Sequence, residues 1–443
     1  MGHLLARFQA NTERWYVAYL LIGAATGGVA PIFLPLVVSR AGDAAHVGIV
    51  VAAVGLGGLT AALWGDLADR LRWHRGLFAG GALVAAAALA ATGATTNTAV
   101  WVGLAFVLGM GAAAANTVAS LFVVEGHPQP QWDARIGWLQ TFFNAGIVAG
   151  LVVAGSLSQL PLEIGLLVGA GALAVAGLAG AWMCHTPPRP TTAGAEPVAA
   201  TQARRRRALA HLHPHALHVE WAHLSPLRLV HPLRRPNWAH VAAAARSPFG
   251  LFLLLWLACN VGTNAVYSLY PLVVQHIYGI DAGPSSFALA AATGLGLVFY
   301  SPASVLTHRL GGVRVLQISL ATRLVTFGVL IALVGAAFAG RDAVVLVAFA
   351  IITLAFPAMS VSSTLLTSDL SPIGEGEGMG MYTAVAAAAG LGGAVLGGWV
   401  AARSGYATTL WLAAIMGLAA LGMTVFLRTA QQRTATPPAG APR

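Results

Sequence analysis

Lysine is absent from this 443-residue chain, so all 24 of its basic residues are arginine, against 14 aspartates and glutamates. That absence excludes the G-x-x-x-x-G-K-[ST] phosphate loop, and with it ATP hydrolysis through that motif. Cysteine is nearly absent as well. Cys184 and Cys259 are too few for a disulfide framework and are expected to be free thiols. Charged residues make up only 9% of the chain. Ordinary soluble domains carry about 25%, because their water-facing positions must be filled with polar groups. An ordinary soluble fold is therefore excluded. Short alternating apolar segments are lacking, which argues against a membrane β-barrel. No histidine–carboxylate cluster has catalytic spacing, and the histidines concentrate between residues 185 and 247. The chain is not read as an enzyme, and no cofactor or resident metal is expected.

What is present is apolar: 57% of residues are hydrophobic and the mean hydropathy is +0.75. A bilayer-spanning helix takes about 20 mostly apolar residues. Twelve such runs lie at 15–38, 46–64, 76–94, 99–123, 134–156, 161–183, 249–275, 284–305, 314–338, 343–367, 378–401 and 405–428. The 52 glycines suit close packing between membrane helices. The expected fold class is an all-α integral membrane protein, with twelve transmembrane helices in two pseudo-symmetric six-helix bundles.

The net charge of +10 is not read as a nucleic-acid signal, because of where the arginines fall. Arg70, Arg72 and Arg75 share one loop, and Arg189, Arg204 to Arg207, Arg228, Arg234, Arg235 and Arg246 the central one. Arg309 and Arg314 share a third, and Arg428, Arg433 and Arg443 lie near the C-terminus. Twelve spans put all of these on one side, which the positive-inside rule makes cytoplasmic, with both termini inside. The first apolar run lacks a small-residue cleavage site and reads as a retained helix. Arginine-only, alanine-rich usage points to a high-GC bacterial source, hence to a bacterial cytoplasmic (inner) membrane.

Four regions follow: a six-helix half at 1–184, a basic and histidine-rich linker at 185–247, a second half at 248–430, and a tail at 431–443. The linker runs from Pro187-Pro188-Arg189-Pro190 to Arg204–Arg207, and such composition cannot bury enough apolar surface to order itself alone. A mobile linker is favoured. The alternative is that its later part, with Trp221, Leu224 and Trp238 among arginines, lies on anionic lipid. Its run His211 to His218 is read as solvated rather than zinc-binding, since no cysteine accompanies it and Pro214 interrupts a helix.

The halves repeat one another. Gly65 to Arg70 align with Ser304 to Arg309, both between apolar runs. Gly137, Gly150 and Gly155 of the fifth run meet Gly380, Gly393 and Gly398 of the eleventh. Parallel halves of this kind occur in transporters, with the solute path at their interface.

On these residues the chain resembles the major facilitator superfamily throughout, apart from the linker. That family's loop signature between helices two and three reads roughly G-x-L-a-D-r-x-G-r-r. Gly65, Leu67, Ala68, Asp69 and Arg70 match it, while Arg72 stands for the later glycine and Trp73 for a basic position. Its drug-exporter signature on helix five reads G-x8-G-x3-G-P-x2-G-G. Gly137, Gly146, Gly150 and Gly155 fit, with Leu151 for the proline and Ala154 for one glycine. Ala105 replaces the helix-four arginine that the family links to proton coupling. The resemblance implies a gating role for Gly65, Asp69, Arg70, Arg309, Gly137, Gly146 and Gly150, with Asp69 contacting the start of helix eleven near Gly378. Physically, a carboxylate there can bind arginines or a helix N-terminus and release them when the halves rock.

Candidate path residues come from polar stripes. Asn260, Thr263, Asn264 and Tyr267 fall at i, i+3, i+4 and i+7, so they share one face. Gln140 and Asn144 lie at i, i+4 on the fifth run, opposite Gly146 and Gly150, and Asn116 joins from the fourth. Polar groups in a bilayer are costly unless they face a cavity or another helix. Arg323 is the one charge well inside a run, nine positions after Arg314. Snorkelling or pairing with a neighbour is its favoured reading, because helix nine is peripheral in the family; attraction of an anionic substrate is the alternative.

The expected activity is secondary active transport of a small organic solute, a drug-like compound or metabolite, by alternating access and in the export direction, with the chain a monomer. One alternative is an importer or uniporter of a sugar or organic anion without proton coupling, since no carboxylate lies deep in a span. The other is a transporter-like sensor or membrane assembly protein.

Overall fold

The computed structural model describes residues 11–71, 73–128, 131–184, 247–372 and 375–435. The linker expectations lie outside these residues. Within α-helical segments the side chains of Asp69 and Arg70 are also outside the description.

Twelve helices are long and apolar enough to cross a membrane, and no strand occurs among the described residues. They are α1 (Tyr16–Ser39), α2 (Ala44–Gly65), α3 (His74–Thr92), α4 (Thr98–Gly126), α5 (Ala134–Ser156) and α6 (Leu162–Met183) in the first half. The second half holds α7 (Pro248–Tyr267), α8 (Ala282–Leu310), α9 (Gly312–Ala332), α10 (Arg341–Leu370), α11 (Gly378–Ser404) and α12 (Ala407–Arg428). An even number of crossings leaves both chain ends on one side, here the terminus side; the opposite is the far side.

Local chemistry sets the ends and breaks. Asp43 caps α2 by accepting from the His46 amide at 3.0 Å, and the His46 ring reaches back to the Asp43 amide. Asn97 caps α4 through the Ala99 and Val100 amides. At Gly311 (φ 84°) and Gly405 (φ 85°) the chain passes between consecutive helices in a conformation that side-chain-bearing residues rarely adopt. α1 is not regular: Ala24–Val29 is a π turn, followed by Pro31 and Pro35. Such turns and prolines leave backbone carbonyls free and bend helices.

Several expected boundaries are corrected. The run 249–275 is broken: α7 ends at Tyr267, and a short helix, Tyr270–Tyr278, restarts with Pro271 in its first turn. α10 breaks at Ala355 ahead of Pro357. The stretch Gly65–Arg70 is helix rather than loop, within Ala61–Leu71. Ala61, Trp64 and Ala68 recur there at helical spacing, and Ala68 is fully buried. Likewise Ser304–Arg309 belongs to α8, which runs to Leu310.

Glycine lets the helices touch backbone to backbone. A Cβ at Gly146 or Gly150 would overlap the Leu20 or Ala24 carbonyl, which fixes α5 on α1. Gly57 and Gly109 join α2 to α4 in the same way, and Gly393 and Gly397 join α11 to α7. Among the described residues, glycine forms two seams that cross between the halves. A Cβ at Gly398 would lie 2.5 Å from the Ala44 carbonyl oxygen, joining α11 to α2. One at Gly155 would meet the Phe287 ring at 3.1 Å, joining α5 to α8.

Both crossing seams are on the far side. The core agrees: one cluster holds first-half residues together with Val266, Tyr270, Ala394, Ala401 and Leu410, all toward the far side of the second half. The terminus side of the second half has its own cluster, including Phe249, Trp256, Leu366 and Leu427. The halves therefore share a core at one end and have separate cores at the other.

Candidate functional site: a cavity between the halves

A cavity with about 800 Å³ of open space, including its mouth, lies between the halves. α1 supplies Thr26, within the π turn, and Ala30, Pro31, Leu34 and Pro35, just beyond it. α2 and α4 contribute mostly Val, Leu, Gly and Ala, and α5 contributes Phe143. From the second half come Asn264, Tyr267 and Ser268, at the break between α7 and its continuation. The wall is apolar, with four polar side chains and no charged one. Such a surface suits a small organic solute held by a few directed hydrogen bonds.

The expected polar stripe on α7 divides. Asn264 and Tyr267 face the cavity. The Tyr267 hydroxyl also lies 3.2 Å from the Phe349 carbonyl and 3.1 Å from Thr353 Oγ1, which fixes the ring. Asn260 is buried and donates to the Trp256 carbonyl of its own helix. Thr263 turns away from the cavity and toward α9, where its hydroxyl accepts from Arg323 Nη2 at 2.6 Å and donates to the Cys259 carbonyl at 2.8 Å.

Arg323 does not snorkel; it is 3% exposed. Its remaining contacts are soft: Nη1 lies 3.2 Å from Met359 Sδ and 3.8 Å from Cys259 Sγ, and Nε makes no hydrogen bond. No carboxylate among the described residues forms an ion pair with it. Of the two favoured readings, the structure shows pairing with neighbours rather than snorkelling. α9 turns Arg323 inward onto α7 and α10.

The first-half amides are buried but do not line the cavity. Asn116 is 3% exposed, Gln140 9% and Asn144 1%. Asn144 donates to the Gln140 carbonyl, while its own Oδ1, Gln140 Nε2 and both polar atoms of the Asn116 side chain lack partners. Gln140 faces the Tyr19 hydroxyl of α1. Orphaned amides in a low-dielectric interior are expensive, about 1–3 kcal/mol each.

Of the expected gating residues, Gly146 and Gly150 form the α1–α5 seam. Gly65 meets only Thr117 at 3.6 Å, and Gly137 has nothing within 4 Å. Arg309 is exposed in the last turn of α8. Sequence reasoning missed the α1 segment Thr26–Pro35; its Pro31–Pro35 spacing was the available signal. On the terminus side the first half is tied by Glu13, which binds Arg135 at 3.0 Å and His127 at 3.1 Å, and by His74 with Glu125 at 3.5 Å.

Two six-helix halves around a shared interface cavity define a multi-pass membrane carrier of small solutes. The major facilitator superfamily profile matches residues 15–373 and 251–443, so the chain belongs to that family. Among solved structures it is similar to the nucleoside transporter NupG, at 13% identity over 94% of this chain and 97% of the other, with a TM-score of 0.67. A bacterial homolog of the human lysosomal transporter Spinster, in an inward-facing and occupied conformation, gives 11% identity, coverage of 96% and 97%, and a TM-score of 0.67. A D-xylose-proton symporter gives 16% identity, coverage of 92% and 95%, and a TM-score of 0.59. These likenesses are likenesses of fold. No curated protein sequence matches the chain.

Proposed function

We propose that this chain is a secondary transporter that exports a small, largely apolar organic solute by rocking its halves about the interface cavity. The observation that carries the reading is the placement of that cavity. It is lined from both halves and backed on the far side by the α2–α11 and α5–α8 seams. With the halves joined at one end and separately cored at the other, the present state faces the terminus side, and the arginine distribution supports reading that side as the cytoplasmic one. Loading from the cytoplasm into such a state suits export. The glycine spacing of α5, shared with the family's drug-exporter signature, supports the same direction. Asp69 and Arg70, at the terminus-side end of the helix that continues α2, would act in closing that side.

A second reading, uniport or import without proton coupling, is favoured by one specific observation: the cavity wall holds no carboxylate. The deciding experiment measures accumulation of labelled drugs, sugars and organic acids in cells producing wild type or Asp69→Asn at matched membrane levels, with and without a protonophore. Export predicts lower accumulation only with wild type, relieved by the protonophore. Equal accumulation across the panel would overturn the export reading.

A further inference from the structure

Arg323 is a permanent charge in the second-half core without a counter-charge among the described residues. A guanidinium has five N–H donors and does not deprotonate in proteins. Here its partners are one hydroxyl and two sulfur atoms, and Nε has none. An uncompensated buried ion is unfavourable by several kcal/mol, so its retention needs a reason. The interface cavity offers one. Thr263, which receives the guanidinium, is one helical turn before Tyr267 on α7; Thr263 meets α9 and Tyr267 lines the cavity. Residues so spaced have Cβ atoms about 5–6 Å apart. No charged side chain in the cavity wall offsets the field.

We infer that Arg323 is a specificity-determining residue: its charge, seated behind the α7 wall, makes the interface cavity select organic monoanions over neutral and cationic solutes. The inference rests on the cavity being the solute path. Arg323 acts through the wall rather than by contact, since Thr263 and the sulfur atoms of Cys259 and Met359 occupy its near side. At a separation of about 10 Å and an effective dielectric of about 20, one unit charge favours an anion over a neutral analogue roughly tenfold and disfavours a cation by a similar factor. The anion-to-cation ratio is then on the order of a hundredfold.

The test needs no knowledge of the cargo. Ser268→Cys and Thr26→Cys place single thiols in the cavity wall from opposite halves. In the purified full-length protein, the rates of labelling by anionic 2-sulfonatoethyl methanethiosulfonate and cationic 2-(trimethylammonium)ethyl methanethiosulfonate are compared, with 2-mercaptoethanol as the free-thiol reference. Relative to that reference, the anionic reagent is expected to be favoured by at least tenfold at Ser268→Cys. Arg323→Gln should remove the preference and Arg323→Lys should keep it. The wild-type ratio alone decides the matter where Arg323→Gln does not fold. A ratio equal to that of the free thiol, or one unmoved by Arg323→Gln, overturns anion selection and leaves the transport reading standing. Failure of both thiols to react with either reagent removes the open cavity, and with it both readings.

Discussion

The far-side contact between the halves can be locked. Gly283 begins α8 and Ser158 follows α5, so the pair bridges the two halves. A Cβ built at Gly283 lies 3.7 Å from the Ser158 Cβ. Disulfides have Cβ···Cβ separations of about 3.5–4.5 Å, with a mean near 3.8 Å. Ser158→Cys with Gly283→Cys should therefore oxidise with only small local adjustment beside the Gly155 carbonyl, and the bond would forbid a separation of more than roughly 1 Å at this point. The native thiols interfere little: both are buried, and burial pushes Cys184 up to about 12, so it stays protonated and a poor nucleophile. Intact mass after thiol capping reads formation of the bond, and amide hydrogen exchange reads its effect. A minor far-side-open state populated at about 0.1–10% supplies an exchange route for the ends of α2, α5, α8 and α11. Removing that route should slow exchange there by about tenfold or more, leave the terminus-side ends unchanged, and reverse on reduction. Identical far-side exchange in the oxidised and reduced forms would refute the reasoning, because it would mean that the halves never part at this seam.

Two further outcomes follow from local packing and titration. Gly150→Ala puts a methyl group against the Ala24 carbonyl and should cost about 1–3 kcal/mol of stability, whereas Gly137→Ala meets open space and should leave the thermal midpoint unchanged or higher; equal losses would refute the seam assignment. The His46 amide, bonded to the Asp43 carboxylate, holds that group below its ordinary value of about 3.9. A depressed carboxylate stabilises the fold above its unfolded-state value, and the effect is lost as pH falls through the folded one. The difference in thermal midpoint between wild type and Asp43→Ala should therefore be full at neutral pH and shrink below about pH 4; a difference that grows on acidification would refute the cap.

The number of spans and the duplication were legible because they depend on length and mean hydropathy alone. The repeat carried further than that. Gly150 and Gly393 were paired by alignment, and both prove to be seam residues, one against α1 and the other against α7. Gly155 and Gly398, paired in the same way, each sit at a contact that crosses between the halves. The inward face of α9 was not legible. A helix that is apolar all round gives no periodic signal to separate the lipid from the core, so Arg323 had a depth but no direction. The α7 stripe is one face by helical spacing, yet a face about 100° wide spans both a cavity and a neighbouring helix. Thr263 fell on the helix side and Asn264 on the cavity side. Most of the cavity wall is Ala, Val, Leu and Pro, residues that look the same in sequence whether they meet solute, lipid or another helix.

The charge behind α7 also bears on what drives transport. Ala105 stands where the family's helix-four arginine would be, and the cavity wall has no acid to carry a proton. Taken alone, these absences weaken export by proton exchange. A monoanionic cargo removes the difficulty. A charge crossing the membrane potential gains about 2.3 kcal/mol per 100 mV, and an interior-negative potential pushes anions outward. Arg323 stays charged at any physiological pH, so it can balance the cargo in the cavity but cannot serve as the proton carrier. Export of an anion down the potential then needs no titrating residue in the path. A protonophore would stop it by collapsing the potential rather than by removing a proton substrate, so sensitivity to that reagent establishes energisation and leaves the coupling ion to be separated by clamping the potential at constant pH.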